Sequence, residues 1–274
     1  MKTLKIILVL ITPFILFSSC KKKDNAVIGN DTTIEIKKYP SGKIHDVLFY
    51  TKNHLDSVYE YFENPPIIRE ITKRLSDSTQ YIIQFDSLGN YLGKGYTLIK
   101  KDKNMKNGWK NMENGWWEKM YKGEKARVEY FIIGDTNIVN QVISLDKNNH
   151  VDVDNSCFYT MDLPDTLDYG REYMFTVKVT SPIGDKKDYR SRLEISDAIN
   201  SGYSNIGVEK STYKIKNTGL GSWEVRHTFL KKGKDTIKGG MFVGTIWAED
   251  INEDSVKIHT FRKVMLIRKP VFIR

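Results

Sequence analysis

The chain has 274 residues, of which 40% are hydrophobic and 28% charged, and a formal net charge of +9. Those proportions support a packed core and exclude wholesale disorder. The lysines are spread along the whole chain with no nucleic-acid motif beside them, so the charge reads as a solvated basic surface and argues against a nucleic-acid partner.

The first element is an export signal. Met1 to Lys5 is short and basic, Ile6 to Phe17 is apolar apart from Thr12 and Pro13, and Ser18-Ser19-Cys20 leads into Lys21-Lys22-Lys23. A basic start, a hydrophobic run, small residues and an abrupt polar switch make a cleaved segment rather than part of a fold. A membrane-spanning helix needs about 20 apolar residues, and this run is shorter and contains Pro13. A plain secretory signal with an incidental cysteine is the alternative.

Ser18-Ser19-Cys20 resembles the lipobox of bacterial lipoproteins, with one departure at Phe17, where that family usually carries an aliphatic residue. The resemblance implies a signal peptide over 1–19 and diacylation of Cys20, the new N-terminus. Two or more acyl chains hold a bilayer stably where one does not. Lys21, Lys22 and Lys23 would then meet the headgroups, at about 1 kcal/mol each against anionic lipid. Membrane lipid is thus the first expected partner. In Bacteroidota-type lipoproteins an acidic stretch after the cysteine directs export to the outer surface, and this chain is basic there. The expectation is an outer-membrane protein facing the periplasm rather than the cell surface.

Removing residues 1–19 leaves 255 of the 274, and loss of Lys2 and Lys5 takes the formal charge to +7. That length suits one large or two ordinary domains. Of the two cysteines, acylation takes Cys20, so Cys157 has no partner for an internal disulfide. Residues 20–31 are small and polar and read as a flexible spacer.

From Thr32 the pattern has a period of two. Ile34 and Ile36, then Val47 and Phe49, alternate with polar residues around Pro40-Ser41-Gly42, which predicts strand, turn, strand. Val58 to Phe62 predicts another strand. Ile67 to Leu75 fits either a helix stripe or a strand; the strand is preferred because Ser76-Asp77-Ser78 turns it into Tyr81 to Phe85. Turn signals recur at Leu88-Gly89-Asn90, Lys106-Asn107-Gly108, Glu113-Asn114-Gly115, Lys122-Gly123 and Lys147-Asn148-Asn149, and Asn-Gly is a strong hairpin signal.

Tyr39-Pro-Ser-Gly-Lys-Ile44 and Asn114-Gly-Trp-Trp-Glu-Lys-Met-Tyr-Lys-Gly-Glu-Lys125 resemble the degenerate hairpin repeat of the MORN type. Lys52-Asn53-His54-Leu55 fits with its glycine replaced. The resemblance covers about 32–163 and implies a meander of antiparallel β-hairpins with no shared catalysis.

Leu163 to Asp168 reads as a boundary. Beyond it Glu172 to Thr180 alternates cleanly, and strands are predicted over Tyr189–Ile195, Ser211–Ile215, Ser222–Phe229, Gly239–Trp247 and Val256–Met265. Ser196 to Ser201 suggests one helical turn capped by Ser196. So many short strands in 168–274 are in the proportion of a β-sandwich, immunoglobulin-like in architecture only, since the Cys-Trp-Cys spacing is absent. The expected fold is all-β: a hairpin-repeat meander followed by the sandwich.

Three constellations bear on chemistry. Trp109, Trp116, Trp117 and Tyr121 form an aromatic cluster; adjacent strand positions point to opposite faces, so an exposed ring could stack on a sugar or anchor a protein. The plainer alternative is that the rings fill the core and cover a sheet face. His150, Asp152 and Asp154 share one face of a regular strand, a possible metal set; the plainer alternative is a charged edge strand that discourages aggregation. The histidines His45, His54, His150, His227 and His259 sit in no catalytic signature, and Cys157 has a core-like context. No cofactor motif is present. The expectation is a non-catalytic binding or scaffolding lipoprotein whose partner is an envelope protein or a glycan. The alternatives are glycan binding through Trp116 and Trp117, and a hydrolase without a recognisable motif.

Overall fold

The computed structural model describes residues 24–27, 31–101, 109–121, 123–184, 188–208, 211–252 and 255–274; the side chains of 24–27, 109, 121, 247–252, 255 and 256 lie outside that description. The signal segment, Cys20 and Lys21 to Lys23 therefore lie outside the described residues, as does the turn expected at 106–108.

Among the described residues every regular element is a β-strand. The hairpin series comprises β1 (Asp24–Val27), β2 (Thr32–Lys38), β3 (Ile44–Thr51), β4 (His54–Tyr61), β5 (Ile68–Arg74), β6 (Thr79–Phe85), β7 (Tyr91–Lys101), β8 (Trp109–Tyr121), β9 (Glu124–Ile133), β10 (Thr136–Leu145) and β11 (Val151–Met161). The rest comprises β12 (Thr166–Leu167), β13 (Glu172–Thr180), β14 (Arg190–Ile195), β15 (Lys214–Gly219), β16 (Ser222–Thr228), β17 (Gly233–Asn252) and β18 (Ser255–Ile273).

β1 to β11 pair in chain order as an antiparallel meander, and backbone pairing continues from β11 to β13, β16 and β15, giving one 14-stranded sheet. A second sheet has the order β12-β18-β17-β14. β11 bridges the two halves of the large sheet. Its Val151, Asp152 and Cys157 pair with β10, while Phe158 to Met161 pair with β13.

Turn chemistry explains the meander. Three connections share one hydrogen-bond pattern: Tyr39 to Lys43, Asp86 to Asn90 and Asp146 to His150. In each, the first residue's N–H donates to the fifth residue's carbonyl, and the fourth residue's N–H donates back to the first carbonyl. The fourth residue, Gly42, Gly89 or Asn149, has positive φ, the conformation glycine and asparagine adopt most easily. The β3–β4 turn is tighter. Lys52 and Asn53 have φ of 50° and 64°, as a two-residue hairpin turn requires of both central positions.

Two expected local features differ. Asn114-Gly115 is not a hairpin turn but an irregularity inside β8: Lys94 pairs with Glu118 and Tyr96 with Asn114, so the register shifts there. Gly115 supplies the positive φ this bulge needs. Ser196 to Ser201 is not helical. Ser196 Oγ accepts the Ala198 N–H at 3.2 Å as a local turn bond and not as a helix cap, and the interlaced Asn200 and Asn205 side chains hold the chain in successive turns.

The main core lies where the two sheets face each other. Phe175 and Val177 of β13 and Trp223 and Val225 of β16 meet Leu193 and Ile195 of β14, Met241 of β17 and Met265 and Ile267 of β18. Cys157, Leu163 and Leu167 belong to the same cluster. A smaller cluster lies on the other side of the second sheet, where Phe131 of β9, Ile199, Tyr203 and Leu266 of β18 pack together with Ile133, Ile138 and Ile206. Gly240 permits this approach, since a Cβ there would overlap the Ile206 side chain. Among the described residues, neither cluster contains a side chain of β2 to β8.

Candidate functional site

β2 to β7 form a sheet whose described side chains belong to neither of the two buried clusters. Period-two alternation gives it two unlike faces. On one face, register brings Ile36, Val47, Tyr59, Ile71 and Ile83 into a single row across five strands. Phe49 meets the Tyr59 ring edge-on at 5.4 Å, and Tyr81 meets Tyr96 at 5.1 Å. These side chains are half-buried by one another, and Tyr96 is 48% exposed.

The opposite face carries a row of acids. Asp46, Glu60 and Glu70 are cross-strand neighbours, continued by Gln84. Asp46 lies 2.5 Å from Nδ1 of His45 and 3.9 Å from Lys37. Glu70 accepts from Thr72 at 3.0 Å and from Gln84 at 3.1 Å. Glu60 has no such donors among the described residues; burial, then the charges of Glu70 and Asp46, hold its carboxyl above the usual range. These acids come from three strands, and no local motif marks them.

The tryptophan pair divides as its adjacency demands, but with different consequences. Trp117 is 1% exposed. Its Nε1 donates to the Tyr96 carbonyl at 2.8 Å. Lys119 sits 4.3 Å from the ring centroid and pairs with Glu113 at 2.5 Å. Tyr130 meets the indole edge-on at 6.5 Å, and burial followed by the Glu113 charge pushes its hydroxyl up to about 12. Gly95 is the reason the indole lies flat, because a Cβ there would overlap the ring. Trp117 is thus a core residue and not a contact platform, which corrects the expectation for that ring. Trp116 is half-buried on the other face, with the Arg127 guanidinium 5.1 Å from its ring. The side chains of Trp109 and Tyr121 lie outside the described residues.

His150, Asp152 and Asp154 do not converge. Regular alternation breaks between them: Ser144 pairs with Asp152 but Val142 with Cys157, so 153–156 bulge out. Asp152 turns onto that bulge and accepts the N–H groups of Asp154 and Asn155 and the Asn155 amide. His150 faces Asp146 at 3.6 Å. Among the described residues no group of three or more His, Cys, Asp or Glu side chains is arranged to hold a metal.

His227 stacks on Tyr213 at 3.8 Å, meets Phe229 edge-on at 4.8 Å and lies 3.9 Å from Asp197. Burial lowers its pKa against the pull of Asp197. Asp197 is itself engaged by the hydroxyls of Tyr213 and Thr212 at 3.0 and 3.3 Å, so the group closes one end of the sheet pair. Cys157 is buried beside Met265, and burial pushes its thiol up.

No protein-family model, curated protein or solved structure matches the chain.

Proposed function

We propose that this is a lipid-anchored cell-envelope protein that binds or scaffolds a partner without catalysis. The single observation that carries the binding role is the row Ile36–Val47–Tyr59–Ile71–Ile83, a half-buried apolar strip across five strands that belongs to neither buried cluster. Contiguous apolar surface of this kind marks interaction sites. The anchor reading rests on the order of basic, apolar and small residues ending at Cys20. The basic run Lys21 to Lys23 favours the periplasmic side of the outer membrane, and an envelope protein or a glycan is the partner class.

The repeated turn of Tyr39–Lys43, Asp86–Asn90 and Asp146–His150 supports the MORN-like reading of 32–163. The order β11-β13-β16-β15 opposite β14-β17-β18 follows the ABED and CFG arrangement of an immunoglobulin-like sandwich, with β12 added parallel to β18. That supports the sandwich reading of the C-terminal part, with β11 as its first strand. Of the adjacent pair Trp116 and Trp117, only Trp116 is left to support glycan binding, since Trp117 is covered.

Two measurements test the reading. Cys20→Ala should move the protein from the membrane to the soluble fraction, and unchanged partition would sink the anchor. A photo-cross-linker placed at Ile71 in cells should join a discrete envelope component, and Tyr59→Glu should abolish that product. Equal cross-linking from Lys216 on β15 would remove the special standing of the apolar row.

A further inference from the structure

The outer face of the second sheet carries a charge arrangement that the envelope reading does not use. Register sets Arg190 of β14 beside Gly244 of β17, and Gly244 beside Arg262 of β18. Adjacent strands lie about 4.8 Å apart, so two arginines flank a residue without a side chain across a gap of about 10 Å. The next row along the strands is Arg192, Phe242 and Val264. Together these six line an open depression of about 320 Å³.

The cations there are not equivalent. Arg192 is engaged, by Glu194 at 2.9 Å and by the Phe242 ring at 4.6 Å. Lys263 donates to the Val139 carbonyl at 2.7 Å. Arg190 and Arg262 have no hydrogen-bond or ion-pair partner among the described residues. Two like charges are therefore held across one glycine with nothing in the described chain to offset their repulsion. Each guanidinium presents a planar fork of donors, which matches carboxylate, sulfate or phosphate oxygens two at a time.

We propose that the Arg190–Gly244–Arg262 row binds the oxyanion groups of an acidic polysaccharide. The floor is a glycine below the level of its walls, so a linear chain can lie between the two guanidinium groups. Exposed apolar Val264 and Ile246 alongside suit the C–H faces of sugar rings. A single-stranded nucleic acid needs free aromatic platforms, and Arg192 already occupies the Phe242 ring. The site lies on a different sheet from the apolar row and does not depend on the envelope reading.

The test uses the full chain in detergent and three probes: polygalacturonate, dextran sulfate and neutral dextran. At low salt the wild type should bind either or both acidic polymers and not the neutral one. Arg190→Gln/Arg262→Gln should weaken that binding by at least about tenfold, since both charge-assisted forks are lost. Lys214→Gln/Lys216→Gln removes the same formal charge from β15 and should weaken it by less than about threefold. Equal loss in the two double variants would overturn the site in favour of unspecific attraction, as would no binding by the wild type. Overturning outcomes also include a stronger effect of Arg190→Gln/Arg262→Gln on phosphatidylglycerol vesicles, or on a single-stranded DNA oligonucleotide, than on the glycans. Far-UV circular dichroism checks the fold, and Arg262→Gln alone replaces the double variant if that is perturbed, with an intermediate loss expected and no loss refuting the site.

Discussion

Asn140 treats the backbone of Leu266 as a strand partner. Its Nδ2 donates to the Leu266 carbonyl at 2.9 Å and its Oδ1 accepts the Leu266 N–H at 2.5 Å. One side chain on β10 thus completes the pairing of an otherwise free stretch of β18, 126 positions away. The surroundings close around it. Tyr159 donates to the same carbonyl at 3.3 Å, and Glu129 accepts from Asn140 and Gln141, each at 2.6 Å. Gln141 in turn accepts the Tyr159 N–H at 2.8 Å. With the small cluster of Phe131, Tyr203 and Leu266, this joins the hairpin meander to the outer side of the second sheet.

Asn140→Ala should destabilise the protein by about 3 kcal/mol, because it strands a buried N–H and weakens the satisfaction of its carbonyl. Asn140 is 0% exposed, so water cannot substitute. Urea unfolding followed by circular dichroism measures the loss; a change below about 1 kcal/mol would show the pair to be incidental.

Glu129 gives a pH dependence with a defined sign. Burial holds its carboxyl above the usual range, although the Gln141 and Asn140 amides pull the other way. The folded state therefore keeps a proton that the unfolded state has released. Stability falls as pH rises from the ordinary glutamate value through the raised one. Glu129→Gln retains an oxygen for both amides and removes the buried charge, so it should raise the melting temperature at pH 8 and leave it little changed at pH 4. A variant less stable than wild type at pH 8 would refute this account.

Gly95 and Trp117 are coupled by contact. Gly95→Ala places a methyl group into the indole and should cost about 3 kcal/mol, with a red shift in tryptophan emission as the ring is displaced. Trp117→Leu made together with it should cost less than the two changes summed, since the smaller side chain frees the space. Additive costs from denaturant titrations would place the strain elsewhere.

The start of the C-terminal unit can be tested by truncation. A fragment of 168–274 lacks Cys157, Leu163 and Leu167, all members of the main core, and leaves the β11-facing edge of β13 bare. A fragment of 156–274 keeps them. The longer fragment should fold with a sharp thermal transition, and the shorter should be less stable by several degrees or aggregate. Equal stability of the two would favour a boundary after Leu163.

Much of the strand pattern was legible because alternation and turn chemistry are local. Glu172 to Thr180 coincides with β13, and the choice of strand over helix for Ile67 to Leu75 agrees with β5 at Ile68–Arg74. Less legible was β17, expected from Gly239 and observed from Gly233, because residues 233–238 carry a single apolar side chain, Ile237; the glycines within the strand answer to packing, since a Cβ at Gly239 would overlap the Glu194 carbonyl and one at Gly240 the Ile206 side chain. The candidate sites divide in the same way. Opposite faces for Trp116 and Trp117 follow from adjacency alone, whereas the covering of Trp117 follows from Gly95 on a neighbouring strand. His150, Asp152 and Asp154 share a face only in a regular strand, and the bulge at 153–156 that separates them is set by pairing with β10.

By itself, then, the sequence determined the all-β character, the hairpin turns and the alternation within each strand, because dihedral preference and side-chain period act over a few residues. Tertiary structure alone decided which residues share a row, which ring is covered and which charges face each other. Asp46, Glu60 and Glu70, or Arg190 and Arg262, become neighbours only through the register of several strands at once, and register is a long-range outcome of packing that no short window of sequence contains.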